Sequence, residues 1–250
     1  MTVHFVGAGP GAADLITLRA ASLLAAADVV LYPGTYLDAE VLSHCPDARQ
    51  VDTQRLDLDQ ITAVMVDAAA EGLDVVRLTS GDPSVYSALA EQTARLDAAG
   101  VGWDVCPGVP AYAAAAAAVG RELTVPLEAQ SVVLTRTQAR STAMPPTESL
   151  AAFAATRATL VLHLAIRHVR RLAAELVDDY GSDCPVVVVA NAEQPDQLVL
   201  RGTLADVADA VEQAGLRQAA VILVGHALGA RETDDFVESH LYGTRITNRQ

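Results

Sequence analysis

The chain has 250 residues, 51% of them hydrophobic, and a formal net charge of -14 at pH 7. That is length enough for one large or two medium domains, and the wrong sign for a nucleic-acid or anionic-membrane surface. All 17 basic residues are Arg, so no Lys is present for a Schiff base or a Walker-type loop, which excludes pyridoxal-phosphate chemistry and P-loop ATP hydrolysis.

The first predicted strand, Val3–Val6, runs into Gly7-Ala8-Gly9-Pro10-Gly11, and a helix is predicted over Leu15–Ala27 with Ile16, Ala20, Leu23, Leu24 and Ala27 on one face. Strands are predicted at Val29–Tyr32, Gln50–Thr53, Val75–Thr79 and Gly102–Cys106, with helices at Leu37–His44, Asp59–Glu71 and Val85–Ala98 between them. This alternation predicts an α/β layer with a mostly parallel sheet. The alanine run Ala111–Ala118 predicts a small-residue helix that packs close to another backbone.

Beyond Gly120 the pattern changes, and a domain boundary is expected near Val125-Pro126-Leu127, giving domains 1–123 and 124–250. The second half predicts strands at Val132–Thr135, Leu160–Leu164, Val186–Ala190, Leu198–Gly202 and Val221–Val224, with an exposed loop over Ala139–Ser149. Only NAEQPDQ separates the third and fourth of these, too little for a crossover helix, so that pair should be antiparallel and the second sheet mixed. The expected fold is therefore two α/β domains with a cleft between them, a common place for a small-molecule site.

Gly7, Gly9 and Ala12 satisfy the G-x-G-x-x-G/A spacing of a dinucleotide site. The rest of that site is missing. The second strand ends in Tyr32-Pro33-Gly34 where a ribose-binding acid belongs, and Pro10 removes an N–H from the loop. Two more strands end in Gly-Pro turns, SGDPSVYS from Ser80 and CPGVPAYAAAA from Cys106. In a parallel sheet these ends gather on one edge, so the turns at Gly7–Gly11, Gly81–Pro83 and Pro107–Pro110 should line one opening. Asp82 is the one charge among them, placed to orient a ligand or to cap the helix that follows. Cys45, Cys106 and Cys184 form no CxxC pair and no HExxH occurs, so no metal site is expected. With no span-length apolar run and no basic-then-apolar leader, a soluble cytoplasmic protein is expected.

VHFVGAGPGAADLITLRAASLLAAADVVLYPGTYL, SGDPSVYS, PGVPAYAAAAAAVG, TLVLHLA, PVVVVANAEQPDQLVLRGTLADV and ILVGHAL, in this order, resemble the tetrapyrrole (corrin/porphyrin) methylase family. FVGAGPG with DVVLYPGTYL is most similar to members that methylate precorrin-4, or cobalt-precorrin-4, at C11. The resemblance implies transfer of a methyl group from S-adenosylmethionine, release of S-adenosylhomocysteine, and a homodimer. It also implies cofactor contacts at Pro10, at Gly81, Asp82, Pro83, Val85 and Tyr86 of the GDP-containing loop, and at Asn191 and Ala192 after the VVVV strand. Ala111 and Tyr112 stand where relatives often carry Ser-Ala, and His163 and Leu164 where they often carry Tyr-Met. These four positions are assigned to the cofactor too.

Methyl transfer from a sulfonium is a direct displacement that needs alignment and exclusion of water. It therefore suits a site without a Ser-His-Asp set, a metal or a Lys. Asp82, His163 and Tyr112 are the candidate proton acceptors, with Asp82 taken as the catalytic one. Pro10, Tyr112 and Arg136 are assigned to the substrate. A guanidinium binds carboxylates in two prongs, and Arg136, in LTRTQ after a predicted strand, is favoured for a corrin carboxylate ahead of Arg49, Arg55, Arg121 and Arg140. Other functions stay open: another ring methylase of the same pathway, an NAD(P)-dependent oxidoreductase, and a protein that sequesters a tetrapyrrole or an adenosyl compound.

Overall fold

The structure is a computed structural model that describes residues 2–34, 37, 39–137 and 143–229. The chain divides into two compact units. One is Met1–Ala114 together with Ala192–Asp196, and the other is Ala115–Asn191 together with Gln197–Gln250. Among the described residues no helix is long and apolar enough to cross a membrane.

The first unit is built on strands β1 (Thr2–Gly7), β2 (Val29–Tyr32), β3 (Arg49–Asp52), β4 (Val75–Thr79) and β5 (Gly102–Cys106), in the order β3-β2-β4-β1-β5. Every neighbouring pair is parallel. Val3, Phe5, Val29, Leu31 and Val75 point to one face and pack against Ile61, Met65 and Leu96. Val6, Val30, Val76 and Leu78 point to the other and pack against Ala20 and Leu24. A sheet covered on both faces explains why these strands read as unbroken apolar runs.

Helix α1 (Leu18–Ala26) is shorter than predicted. Thr17 caps it by accepting from the Ala20 N–H at 3.2 Å, and Ala13–Leu15 ahead of it is a 3-10 turn. Helix α2 (Leu58–Ala70) starts from a capping box in which Asp57 accepts from the Gln60 N–H at 2.8 Å and Gln60 accepts from the Asp57 N–H at 3.0 Å. The predicted Leu37–His44 helix is a 3-10 helix, Ala39–His44. It stops before Cys45-Pro46, where a residue preceding proline disfavours the α-region. Helix α3 (Leu89–Ala98) begins four residues later than predicted, because Tyr86 and Ala88 are left-handed, with φ of 54° and 56°.

Helix α4 (Ala111–Val119) contains the division between the units, at Ala114–Ala115. The second unit holds β6 (Val132–Arg136), β7 (Thr159–His163), β8 (Pro185–Ala190), β9 (Leu198–Thr203) and β10 (Ala220–Val224), in the order β6-β7-β10-β8-β9. β6 and β7 are parallel, and the other pairs are antiparallel, so this sheet is mixed. β8 and β9 pair antiparallel as expected, from Pro185 opposite Thr203 to Ala190 opposite Leu198. Helices α5 (Leu150–Ala154), α6 (Val169–Tyr180) and α7 (Val207–Gln213) complete the unit, and Leu172, Leu176, Val207 and Val211 line its core with Leu162, Val186 and Ile222. Of the predicted 139–149 loop, residues 143–149 form no helix or strand, and 139–142, which include Arg140, lie outside the described residues.

Candidate functional site

The carboxyl ends of β4, β1 and β5 are neighbours in the first sheet, so the three Gly-Pro turns that leave them meet on one edge. The first two are clasped together. Gly9 donates to Gly81 O at 3.2 Å and Gly81 donates to Gly9 O at 2.8 Å, an isolated antiparallel bridge between left-handed glycines, φ 77° and 69°. Ala8 donates to Thr79 O at 2.9 Å. A Cβ on Gly7 would stand 2.6 Å from the Gly108 Cα and 2.7 Å from Gly81 O, and one on Gly108 would stand 2.8 Å from the Gly7 Cα. The three turns therefore pack backbone on backbone.

This arrangement argues against a phosphate. The N–H groups of Ala8 and Gly9 are already engaged by carbonyls, Pro10 has none, and the 3-10 turn Ala13–Leu15 separates the loop from α1. The strand order adds a second objection. In a dinucleotide fold the second strand lies beside the first, so that its terminal acid reaches the ribose. Here β4 lies between β2 and β1.

Asp82 ties the second turn to the third. One oxygen accepts from the Gly108 N–H at 2.8 Å, and the other accepts from the Ser84 N–H at 2.8 Å and from the Ser84 hydroxyl. Burial works to raise its pKa, but the bonds from the Ser84 side chain, the Gly108 N–H and the Ser84 N–H outweigh it, and the carboxyl is held below the ordinary 3.8. Such a carboxylate stays charged at neutral pH and is a weak proton acceptor. Asp82 does not cap α3, which starts seven residues further on.

Around this clasp, Pro10 and Pro83 are buried, Val85 is half-buried and Tyr86 is exposed. A Cβ on Gly81 would stand 3.4 Å from the Ala111 N, so Ala111 adjoins this turn and Tyr112 follows it in the first turn of α4. Ala192 belongs to the same unit, and its carbonyl oxygen would stand 2.5 Å from a Cβ on Gly11. Of the sequence-predicted residues, the first unit thus gathers Pro10, Gly81, Asp82, Pro83 and Ala111 around one clasp.

Arg136, His163, Leu164 and Asn191 lie in the second unit. β6 and β7 are parallel, and β10 runs opposite to both β7 and β8, so all four residues sit at carboxyl ends on one edge of the second sheet. Arg136 is registered with His163 and donates to Thr137 O at 3.5 Å. Burial lowers the His163 pKa from its ordinary 6.5, which keeps the imidazole neutral at pH 7. Leu164 and Asn191 are left-handed, with φ of 53° and 47°, and the Leu164 side chain is exposed.

Sequence reasoning missed Gly108 and Ser84 as the partners of Asp82. The Ser84 contact had a local signal, since an Asp followed two residues later by a free N–H is an Asx turn. Gly108 had none, being 26 residues away.

The model of Tetrapyrrole (Corrin/Porphyrin) Methylases matches residues 2–208. The chain belongs to this family. It is 54% identical to a precorrin-4 C(11)-methyltransferase of Rhodococcus erythropolis, over 97% of this chain and 96% of that one. Its fold matches the X-ray structure of a cobalt precorrin-4 methyltransferase with a TM-score of 0.87 and 38% identity, over 91% of this chain and 95% of the other. It also matches uroporphyrin-III C-methyltransferase of Thermus thermophilus complexed with S-adenosylhomocysteine, with a TM-score of 0.76 and 29% identity over 91% and 93% of the two chains. The expected architecture of this methylase family, α/β in both parts, is the one observed.

Proposed function

We propose that this chain is an S-adenosylmethionine-dependent methyltransferase that methylates precorrin-4 at C11 in cobalamin synthesis. The observation that carries the reading is the clasp of three turns on one sheet edge, poor in side chains and holding one ionised carboxylate, in a member of this family. The cobalt-free substrate is favoured, because the 54% identical relative is named for it and the cobalt-named structure is 38% identical. Free, buried Cys45, Cys106 and Cys184 suit the reducing cytoplasm, where we place the enzyme, and the family resemblance supports a homodimer.

S-adenosylmethionine supplies a methyl group on a cationic sulfur, whose bond to that methyl breaks as a ring carbon bonds to it, leaving the electron pair on sulfur in S-adenosylhomocysteine. The turns fit such a ligand, since Gly and Pro allow close backbone approach and Asp82 offers a fixed negative charge to a cation. We assign Asp82 the part of that fixed anion rather than of a base, because its oxygens are already engaged. Pro10 and Pro83, buried and stiff, hold the rim and exclude water.

Arg136 is assigned to a carboxylate of the tetrapyrrole. Arg136→Ala should raise KM for precorrin-4 by about tenfold and leave KM for the methyl donor unchanged. Steady-state kinetics with each substrate varied in turn reads both, and an unchanged KM for the tetrapyrrole removes Arg136 from the site. Labelled S-adenosylmethionine incubated with precorrin-4 tests the function itself. Label should enter the tetrapyrrole without a nicotinamide. Dependence on a nicotinamide, or tight binding without transfer, would contradict it.

A further inference from the structure

Arg77 lies in the middle strand of the first sheet and is 7% exposed, and it donates to neutral acceptors. Its Nε donates to Gln92 Oε1 at 3.1 Å, and its Nη1 donates to Thr53 Oγ1 at 3.3 Å and to Leu78 O at 3.1 Å. Gln92 is 1% exposed, in the first turn of α3. A guanidinium only donates, so Gln92 must turn its oxygen towards Arg77. Its amide nitrogen is thereby aimed at the chain before the helix, where it donates to Ser87 O and to Ala88 O, both at 3.1 Å.

Those two carbonyls belong to the strained part of the loop. Tyr86 and Ala88, neither of them glycine, are left-handed on either side of Ser87, whose hydroxyl reaches back to Pro83 O. L-residues hold this conformation only where surrounding bonds over-determine it. Asp82, Pro83 and Tyr86 precede this point on the same loop. Thr53, the second side chain that Arg77 donates to, donates in turn to Tyr32 O at 3.0 Å, so the same cation also braces the end of β2.

We infer that Gln92, oriented by Arg77, is a positioning residue that locks the left-handed Tyr86–Ala88 backbone and so presets the Gly81–Tyr86 loop for the methyl donor. The inference rests on the reading that this loop holds the donor. Gln is the residue the position requires. Leu supplies neither the acceptor nor the donors. Glu supplies the acceptor and a charge for Arg77, but no donor for Ser87 O and Ala88 O.

The test is calorimetric titration with S-adenosylhomocysteine, alongside thermal unfolding, of wild type, Gln92→Leu, Gln92→Glu and Ala88→Gly/Gln92→Leu. Gln92→Leu should raise the dissociation constant at least about tenfold. Gln92→Glu, which keeps a partner for Arg77, should weaken binding comparably while unfolding close to the wild-type temperature. Glycine at 88 makes the left-handed backbone intrinsically accessible, so the double variant should recover at least about threefold of the loss. A purely structural role would move stability and affinity together and give no recovery. Wild-type affinity in folded Gln92→Leu or Gln92→Glu, or no recovery in the double variant, overturns the inference while leaving the donor site in place. No binding to wild type overturns the donor site and the inference with it.

Discussion

Gly108→Ala is expected to abolish measurable donor binding and to destabilise the protein by about 3 kcal/mol. A Cβ there would stand 2.8 Å from the Gly7 Cα and 2.9 Å from the Gly7 C, and closer still to Gly81 O. None of these is a flexible side-chain end, so the strain can be relieved only by moving β1 or the Gly81 turn. Either movement breaks the clasp, together with the bond from the Gly108 N–H to Asp82. Calorimetry with S-adenosylhomocysteine and urea unfolding measure the two effects. Gly100→Ala separates them from a general intolerance of glycine replacement. Gly100 has φ 69° and nothing within 4 Å, so that change should cost about 1 kcal/mol in backbone strain and leave affinity unchanged. Wild-type binding by Gly108→Ala would mean that the close approach of the three turns does not matter to the ligand.

Asp82→Ala is expected to weaken the donor by about tenfold to a hundredfold, which is about 1.4–2.7 kcal/mol. It removes a negative charge beside a cationic ligand and also the acceptor that joins the Gly108 N–H to the Ser84 N–H. Asp82→Asn, which keeps one acceptor and loses the charge, should fall between wild type and Asp82→Ala. The pH profile carries a sign. The folded pKa of Asp82 lies below the ordinary 3.8. Its contribution to stability is therefore complete above that value and is lost as pH falls from 3.8 through the folded pKa. Acid unfolding of Asp82→Ala should lack that component. If Asp82→Ala binds S-adenosylmethionine as tightly as wild type in calorimetry, the turn does not face the donor.

Much of the fold was legible because its signals are local. Apolar runs rich in β-branched residues, such as Val29–Leu31 and Val186–Val189, mark buried strands, and the Gly and Pro that follow several of them mark their ends. The short NAEQPDQ connection settles the direction of β9 against β8. Strand order was not legible. Placing β4 between β2 and β1 is a pairing of distant segments, and no residue near Tyr32 or Gly7 encodes it. The start of α3 was missed because Val85–Ala88 is compatible with helix by propensity, and the bonds from Gln92 to Ser87 O and Ala88 O decide otherwise. A division of the chain inside Ala111–Val119 carries no mark either, since one alanine there reads like the next.

The same holds for the site. Gly7–Gly11 and Gly81–Pro83 announce themselves as turns, and the parallel sheet gathers them on one edge. Which atoms tie them together depends on Gly9 meeting Gly81 and Asp82 meeting Gly108, contacts between segments far apart in the chain. Arg77 reads as one arginine of 17 in the sequence. Its burial is what singles it out.

The most direct test of the central claim is a crystal structure of the protein grown with S-adenosylhomocysteine. The thioether sulfur and the amino-acid end should lie against the Gly81–Asp82 and Pro107–Pro110 turns, within a few ångströms of Asp82. Density for the ligand on the amino-terminal end of α1, or away from all three turns, would contradict the account.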